Sequence, residues 1–262
     1  MVVTSLRERS KYDGQAIVTL WETETGRERG HFLGHRGGAY TVAISGDGRF
    51  VVSGGNDTSA LVWDATRPRT RNAFIRREST ATDLAAHFKN LAGEDAEQAY
   101  ASMWALQSAP KKTMSFLGDQ NSLFTKADVR AIQRWIQDLD SNEFAERERA
   151  AHELGWIVDE AESHLKKALQ GKPSLEVRRR IDQLLEERSR GPIGKELQKF
   201  RVIEILEHIA IPGADATEGA DATRLAAIAL LKKLAAGAPE VRPTQEAKAS
   251  LMRLERRADR NP

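Results

Sequence analysis

Apolar and polar positions follow two different rhythms along this chain. Up to about Asp64, runs of four to six apolar or β-branched residues are separated by Asp-Gly, Gly-Gly and Thr-Gly turns, the pattern of short β-strands. Strands are expected at Val2–Ser5 and Ala16–Trp21, then, after the turn Glu22-Thr23-Glu24-Thr25-Gly26, at Arg27–Phe32. A second cycle places strands at Tyr40–Ser45, Arg49–Ser53 and Ser59–Trp63. From about Thr82 the apolar spacing changes to a period near 3.6 and the composition shifts to Ala, Leu, Glu, Lys and Arg, which specifies amphipathic helices.

The helical expectations are specific. Leu84, Phe88 and Leu91 share a face ahead of Gly93; Tyr100, Met103 and Leu106, with Trp104 beside them, mark a helix that stops near Pro110. Thr125-Lys126-Ala127-Asp128 has the form of a capping box before Val129, Ile132, Ile136 and Leu139. Ser141 is placed to cap a helix carrying Phe144, Ala151, Leu154 and Val158, and Ala161, Leu165 and Leu169 form the next, ending at Gly171. Pro173 suits a first helical turn ahead of Val177, Ile181, Leu184 and Leu185. Three more helices follow: Leu197 to Ile209, broken by Pro212; Leu225 to Leu234; and Ala247 to Leu254. Short helices joined by short loops are expected to pack as hairpins.

The β-rich part repeats itself. Trp21 and Trp63, 42 residues apart, each close an apolar run before an acidic residue. That interval matches the roughly 40–45-residue period of a four-stranded propeller blade. The series Gly34-His35, Val42-Ala43-Ile44-Ser45-Gly46-Asp47-Gly48-Arg49, Val52-Ser53-Gly54-Gly55-Asn56-Asp57 and Leu61-Val62-Trp63-Asp64 resembles a complete WD repeat. Trp21 through Gly34-His35 resembles the end of a preceding one, with Glu22 for the usual Asp, its first strand missing and Arg7–Gly14 lengthening a turn. The resemblance implies a hydrogen-bonded tetrad of His35, Ser53, Asp57 and Trp63 that is architectural rather than catalytic. A serine-hydrolase reading of the same trio fails for want of a Gly-x-Ser-x-Gly elbow around Ser53.

The helical part is similar to HEAT-type repeats at Asp138-Leu139-Asp140-Ser141 with Phe144, Arg147, Ala151 and Leu154, again from Ser174 to Ile181, and more weakly from Gly237 to Leu254. The order of propeller end, arginine-bearing linker and helical tail resembles large bacterial WD-repeat proteins. The expected fold is therefore mixed: antiparallel β in residues 1–64, incomplete WD40 propeller blades; an Arg-rich linker over 65–81; and an all-α HEAT-like domain over 82–262. A propeller closes with about four to eight blades, so a blade and a half leaves apolar faces and strand edges uncovered. The expectation is that the chain self-associates through this part or is a fragment of a longer reading frame.

Composition narrows the chemistry. Charged residues make up 30% of 262, with a formal net charge of +2, so the chain is no polycation. The absence of cysteine removes disulfides, thiolate metal sites and cysteine nucleophiles, and fits a reducing, cytoplasmic setting. Met1–Arg9 has no apolar core of signal-peptide length, and nowhere do about 18 apolar residues run together, so no membrane span is expected. The histidines His87, His152, His164 and His208 lack a paired metal-ligand spacing, so no metal or cofactor is expected. Arg67, Arg69, Arg71, Arg76 and Arg77 are candidate anion contacts, and Arg178, Arg179, Arg180, Arg188 and Arg190 could line a basic helix face. Interleaved Glu176, Asp182, Glu186 and Glu187 favour a solvated, paired surface over nucleic acid for the latter. Trp104, Trp135 and Trp156 are expected in helix cores. Propellers and helical solenoids offer broad docking surfaces without a reactive centre, so the expected role is a non-enzymatic protein-interaction or scaffold module with a protein partner. Two alternatives are nucleic-acid or anion binding through the arginines, and the accessory tail of an enzyme whose catalytic domain lies on another chain or was lost.

Overall fold

The computed structural model describes residues 1–5, 15–66, 83–120, 127–211, 220–239 and 241–260. These divide into two compact units, Met1–Ala109 and Pro110–Pro262.

The first unit contains β1 (Val2–Ser5), β2 (Ile17–Trp21), β3 (Glu28–Leu33), β4 (Ala39–Ile44), β5 (Phe50–Gly55) and β6 (Ala60–Asp64). Each lies within two residues of its sequence expectation. They form two three-stranded antiparallel sheets, ordered β1-β2-β3 and β4-β5-β6. The sheets are not closed into a ring. They pack against each other through Phe32 of β3 and Trp63 of β6, whose rings stack with centroids 5.4 Å apart. Burial differs between them. Val18, Thr19 and Leu20 on β2 are all buried, so the first sheet is covered on both faces. On β5 burial alternates, with Val51 and Ser53 inward and Phe50 and Val52 outward, so the second sheet is covered on one face only.

Helices α1 (Leu84–Asn90) and α2 (Ala96–Gln107) belong to this same unit, each started by an aspartate, Asp83 or Asp95, whose side chain accepts from a first-turn N–H. α2 packs on β3. The Tyr100 hydroxyl donates to the Ala65 carbonyl at 3.1 Å, and the Arg29 guanidinium lies 5.1 Å from the Tyr100 ring centroid. Composition alone sorts these two helices with the helical tail; their packing sorts them with the sheets.

The second unit opens with α3 (Pro110–Asp119), a helix the sequence reading passes over because it takes Pro110 as a stop. Proline is well suited to a first helical position, where its missing N–H has no partner to lose. Then come α4 (Val129–Asp138), α5 (Phe144–Trp156), α6 (Val158–Gln170) and α7 (Leu175–Ser189). Ile132, Leu139, Leu154, Val158, Leu165, Ile181 and Leu184 gather into their shared core. α8 (Gly194–Ala210), α9 (Ala220–Ala235) and α10 (Arg242–Arg260) pack on one another, and α8 is buried on nearly every side: Leu197, Val202, Ile203, Ile205 and Leu206 are all 1% exposed or less. Glu196, Lys199 and Arg201 are buried with them, so the neighbours wrap polar as well as apolar positions of this helix.

Several cap assignments are corrected. Asp128, not Thr125, caps α4, accepting from the Arg130 N–H; Thr125 and Lys126 lie outside the described residues. Ser141 sits two residues before the Glu143 N-cap of α5, accepting from its N–H and bonding Glu146, while α5 has no side-chain cap. Ser174, whose side chain accepts from Val177, replaces Pro173 at the start of α7. Val158 opens α6 rather than extending α5, because the chain breaks at Ile157. The tandem Gly-Ala-Asp-Ala-Thr segments lie mostly outside the described residues, the second running into α9.

Candidate functional site

β4, β5 and β6 and the loop before β4 bring His35, Ser53, Asp57 and Trp63 together. His35 is fully buried and Ser53 is 1% exposed. The Trp63 indole N–H donates to Ser53 Oγ at 2.8 Å, and Ser53 Oγ lies 2.9 Å from His35 Nε2. His35 Nδ1 lies 3.1 Å from Asp57 Oδ1. The indole is donor only and the carboxylate acceptor only, which orders every proton between them. Nδ1–H donates to Asp57, Nε2 accepts from the Ser53 hydroxyl, and the serine oxygen accepts from Trp63.

Ser59, absent from the sequence-based set, completes the carboxylate shell. Its hydroxyl donates to Asp57 Oδ1 at 2.7 Å and its N–H at 3.2 Å, while the Arg36 N–H donates to Oδ2 at 2.7 Å. A serine two residues after a turn aspartate is the signal that could have found it. The Ser59 hydroxyl, followed by the Arg36 N–H and His35, holds the Asp57 carboxyl well below the usual carboxylate range, against a smaller opposing effect of burial. A depressed folded-state pKa stabilises the fold above the unfolded value, and that contribution is lost as pH falls through the folded one. We therefore expect the urea midpoint of the first unit to fall more in wild type than in Asp57→Asn on acidifying from neutrality to below about pH 4, read by Trp fluorescence. Equal slopes for the two proteins would remove Asp57 from this role.

Two glycines keep the network closed. A Cβ on Gly55 would come within 2.5 Å of His35 Nδ1, and one on Gly34 within 2.6 Å of the Trp63 ring.

The first sheet repeats part of this geometry. Trp21 is paired with Val2 and donates to Thr4 Oγ1 at 2.8 Å, as Trp63 is paired with Val51 and donates to Ser53. In both sheets the acceptor lies two residues beyond the tryptophan's cross-strand partner. Glu22 and Asp64, which follow the two tryptophans, each accept a threonine hydroxyl at 2.6 Å, from Thr25 and Thr66 respectively. Glu22 also faces Arg29 at 3.2 Å, both side chains being 1% exposed. The departure from Asp to Glu thus carries a buried ion pair.

The two stacked sheets, with a Trp-Ser-His-Asp relay tying loop to strands, have the form of WD-type β-structure. Residues 26–64 match the family model described as WD domain, G-beta repeat. No curated protein and no solved structure matches the chain.

Arg67, Arg69, Arg71, Arg76 and Arg77 lie outside the described residues. On α7, Arg179 and Arg180 pair with Glu176, Arg180 also with Glu148, Arg188 with Glu162 and Arg190 with Glu186. Trp104 packs edge-on to Tyr100, Trp135 packs on the core of α4–α7, and Trp156 is 37% exposed. His87, buried, lies 3.2 Å from the Ser102 hydroxyl. Among the described residues no group of three or more His, Cys, Asp or Glu could hold a metal ion, and no helix is long and apolar enough to cross a membrane.

Proposed function

We propose that the first unit is a protein-docking element whose contact surface is the outer face of the β4-β5-β6 sheet. WD repeats in general mediate protein interactions and are in general non-catalytic. The observation that carries the reading is the row Ala43–Val52–Val62. The registers place these residues side by side across the three strands, and Val52 and Val62 are 42% and 68% exposed. Phe50 extends the patch on the same face, and Tyr40 is exposed at the bulge in β4. A contiguous apolar sheet face next to the outer edge of β6 is where another β-sheet would pack.

The partner that fits is an apolar sheet face of the same kind, supplied by a second copy of this chain or by another protein bearing WD repeats. The helical unit then serves as a HEAT-like scaffold linked to that element. The three-bond polar relay through His35 has an architectural role: it pins the loop before β4 to β5 and β6, so that the outer face is presented as one rigid sheet.

Light scattering on the full chain across a concentration series tests this. The expected result is concentration-dependent association that Val62→Lys abolishes while leaving the circular dichroism spectrum unchanged. A wild-type chain that stays monomeric at its solubility limit and shows no change in Val62→Lys would refute self-docking through this face.

A further inference from the structure

Asp159, the second residue of α6, is the polar group whose surroundings the fold leaves least explained. Its side chain is 1% exposed, yet neither carboxylate oxygen accepts a hydrogen bond among the described residues. The nearest cation, Lys199 Nζ on α8, is 3.9 Å away and is instead held by Glu160 at 2.6 Å. Lys195 is also turned to Glu160, at 3.7 Å, and Arg188 to Glu162, at 2.8 Å. Behind Asp159, Glu196 is fully buried and has only Arg188 and Arg242 at 3.9 and 4.0 Å, with no hydrogen bond to either oxygen among the described residues. Lys199, Lys195 and Arg188 are thus each nearer another acid. Burial pushes both the Asp159 and the Glu196 carboxyls up from their ordinary range.

Asp159 lines a cavity of about 500 Å³, within the size range of small-molecule sites. One wall is apolar, built from Val129 and Ile132 of α4, Leu234 of α9, and Ala238 and Val241 between α9 and α10. An acceptor stripped of water and lacking a donor is costly, and a ligand that supplies the donor recovers that cost. An ammonium group brings three donors and the compensating charge.

We propose that this cavity binds a small primary amine, its ammonium on the Asp159 carboxylate and its hydrocarbon portion against Ile132, Leu234 and Val241. The site lies wholly in the helical unit and is independent of the docking face on the sheets. Glu160 holds Lys199 more closely than Asp159 does, and Glu162 pairs with Arg188 and Lys166, so an added ammonium meets cations already drawn to other acids. Asp159 supplies the charge recognition, and the apolar wall sets the size of the body that fits.

Calorimetric titration of the full chain with benzylamine, and with benzyl alcohol as the uncharged analogue of the same shape, tests the assignment. Saturable binding of benzylamine with one site per chain is expected, with benzyl alcohol about tenfold weaker or more. Asp159→Asn should weaken benzylamine by a similar factor and leave benzyl alcohol unchanged. Ala238→Phe, which fills the cavity from its rim, should abolish binding of both and decides the matter if Asp159→Asn does not fold. No saturation with benzylamine, equal affinity for the two probes, or undiminished binding in a folded Asp159→Asn or Ala238→Phe chain would each overturn the proposal.

Discussion

Glu22→Ala is expected to destabilise the first unit by about 1.5–3 kcal/mol. Glu22 and Arg29 are each 1% exposed and 3.2 Å apart, so truncating the acid removes a carboxylate from beside a buried guanidinium. The Thr25 hydroxyl loses its acceptor in the same step. Arg29 also lies over Tyr100, so the loss should reach the packing of α2 on β3. Hydrogen exchange on the full chain reads this directly: peptides from β2, β3 and α2 should lose protection together, while those from α8 do not change. Replacing both partners, Glu22→Met with Arg29→Met, should cost less than the two single changes added together, because the interaction between them is then lost once. If the single variant costs less than about 1 kcal/mol, the pair behaves as a surface ion pair and this reading of it is wrong.

Ser53→Ala is expected to cost about 2–4 kcal/mol, since it strands two buried groups at once. The serine hydroxyl is both the donor to His35 Nε2 and the acceptor of the Trp63 indole N–H. A network of this kind is stabilising only when each member is satisfied. The readout is urea denaturation followed by tryptophan fluorescence. Ser53→Thr, which keeps the hydroxyl, should retain more of the stability than the alanine variant. A double-mutant cycle with Trp63→Phe should show coupling, because Ser53→Ala then strands one group instead of two. Additive effects would mean that the two side chains do not act through the shared oxygen.

The β-part was open to reading from the letters because two independent signals agree there. Strand alternation and Gly-containing turns bound each segment, and the Gly-His to Trp-Asp spacing places four polar residues that the loop and strands bring together. Ser59 escaped because a serine beside a turn aspartate is common and carries no period. In the helical part, apolar spacing located the core but not the breaks. Phe144, Ala151, Leu154 and Val158 keep an unbroken helical spacing, yet the chain ends one helix and starts another across Ile157. Phe144 itself is 64% exposed, under the Arg147 guanidinium. Pro110 was ambiguous in principle, since the same ring that stops one helix can start the next. The Asp159 cavity had no signature at all. Asp159 and Glu196 are the same letters as Asp182 and Glu186 on α7, and only packing against neighbouring helices, as in the wrapping of α8, separates the two cases.

That wrapping has a consequence for how the chain is made. α8 ends at Ala210, and two of the helices that cover it are complete only at Arg260, some fifty residues later. At translation rates of about 5–20 residues per second, a rod that ends up covered on nearly all sides waits several seconds for its cover. During synthesis, that is the interval in which a holding chaperone or a neighbouring ribosome's product would find it.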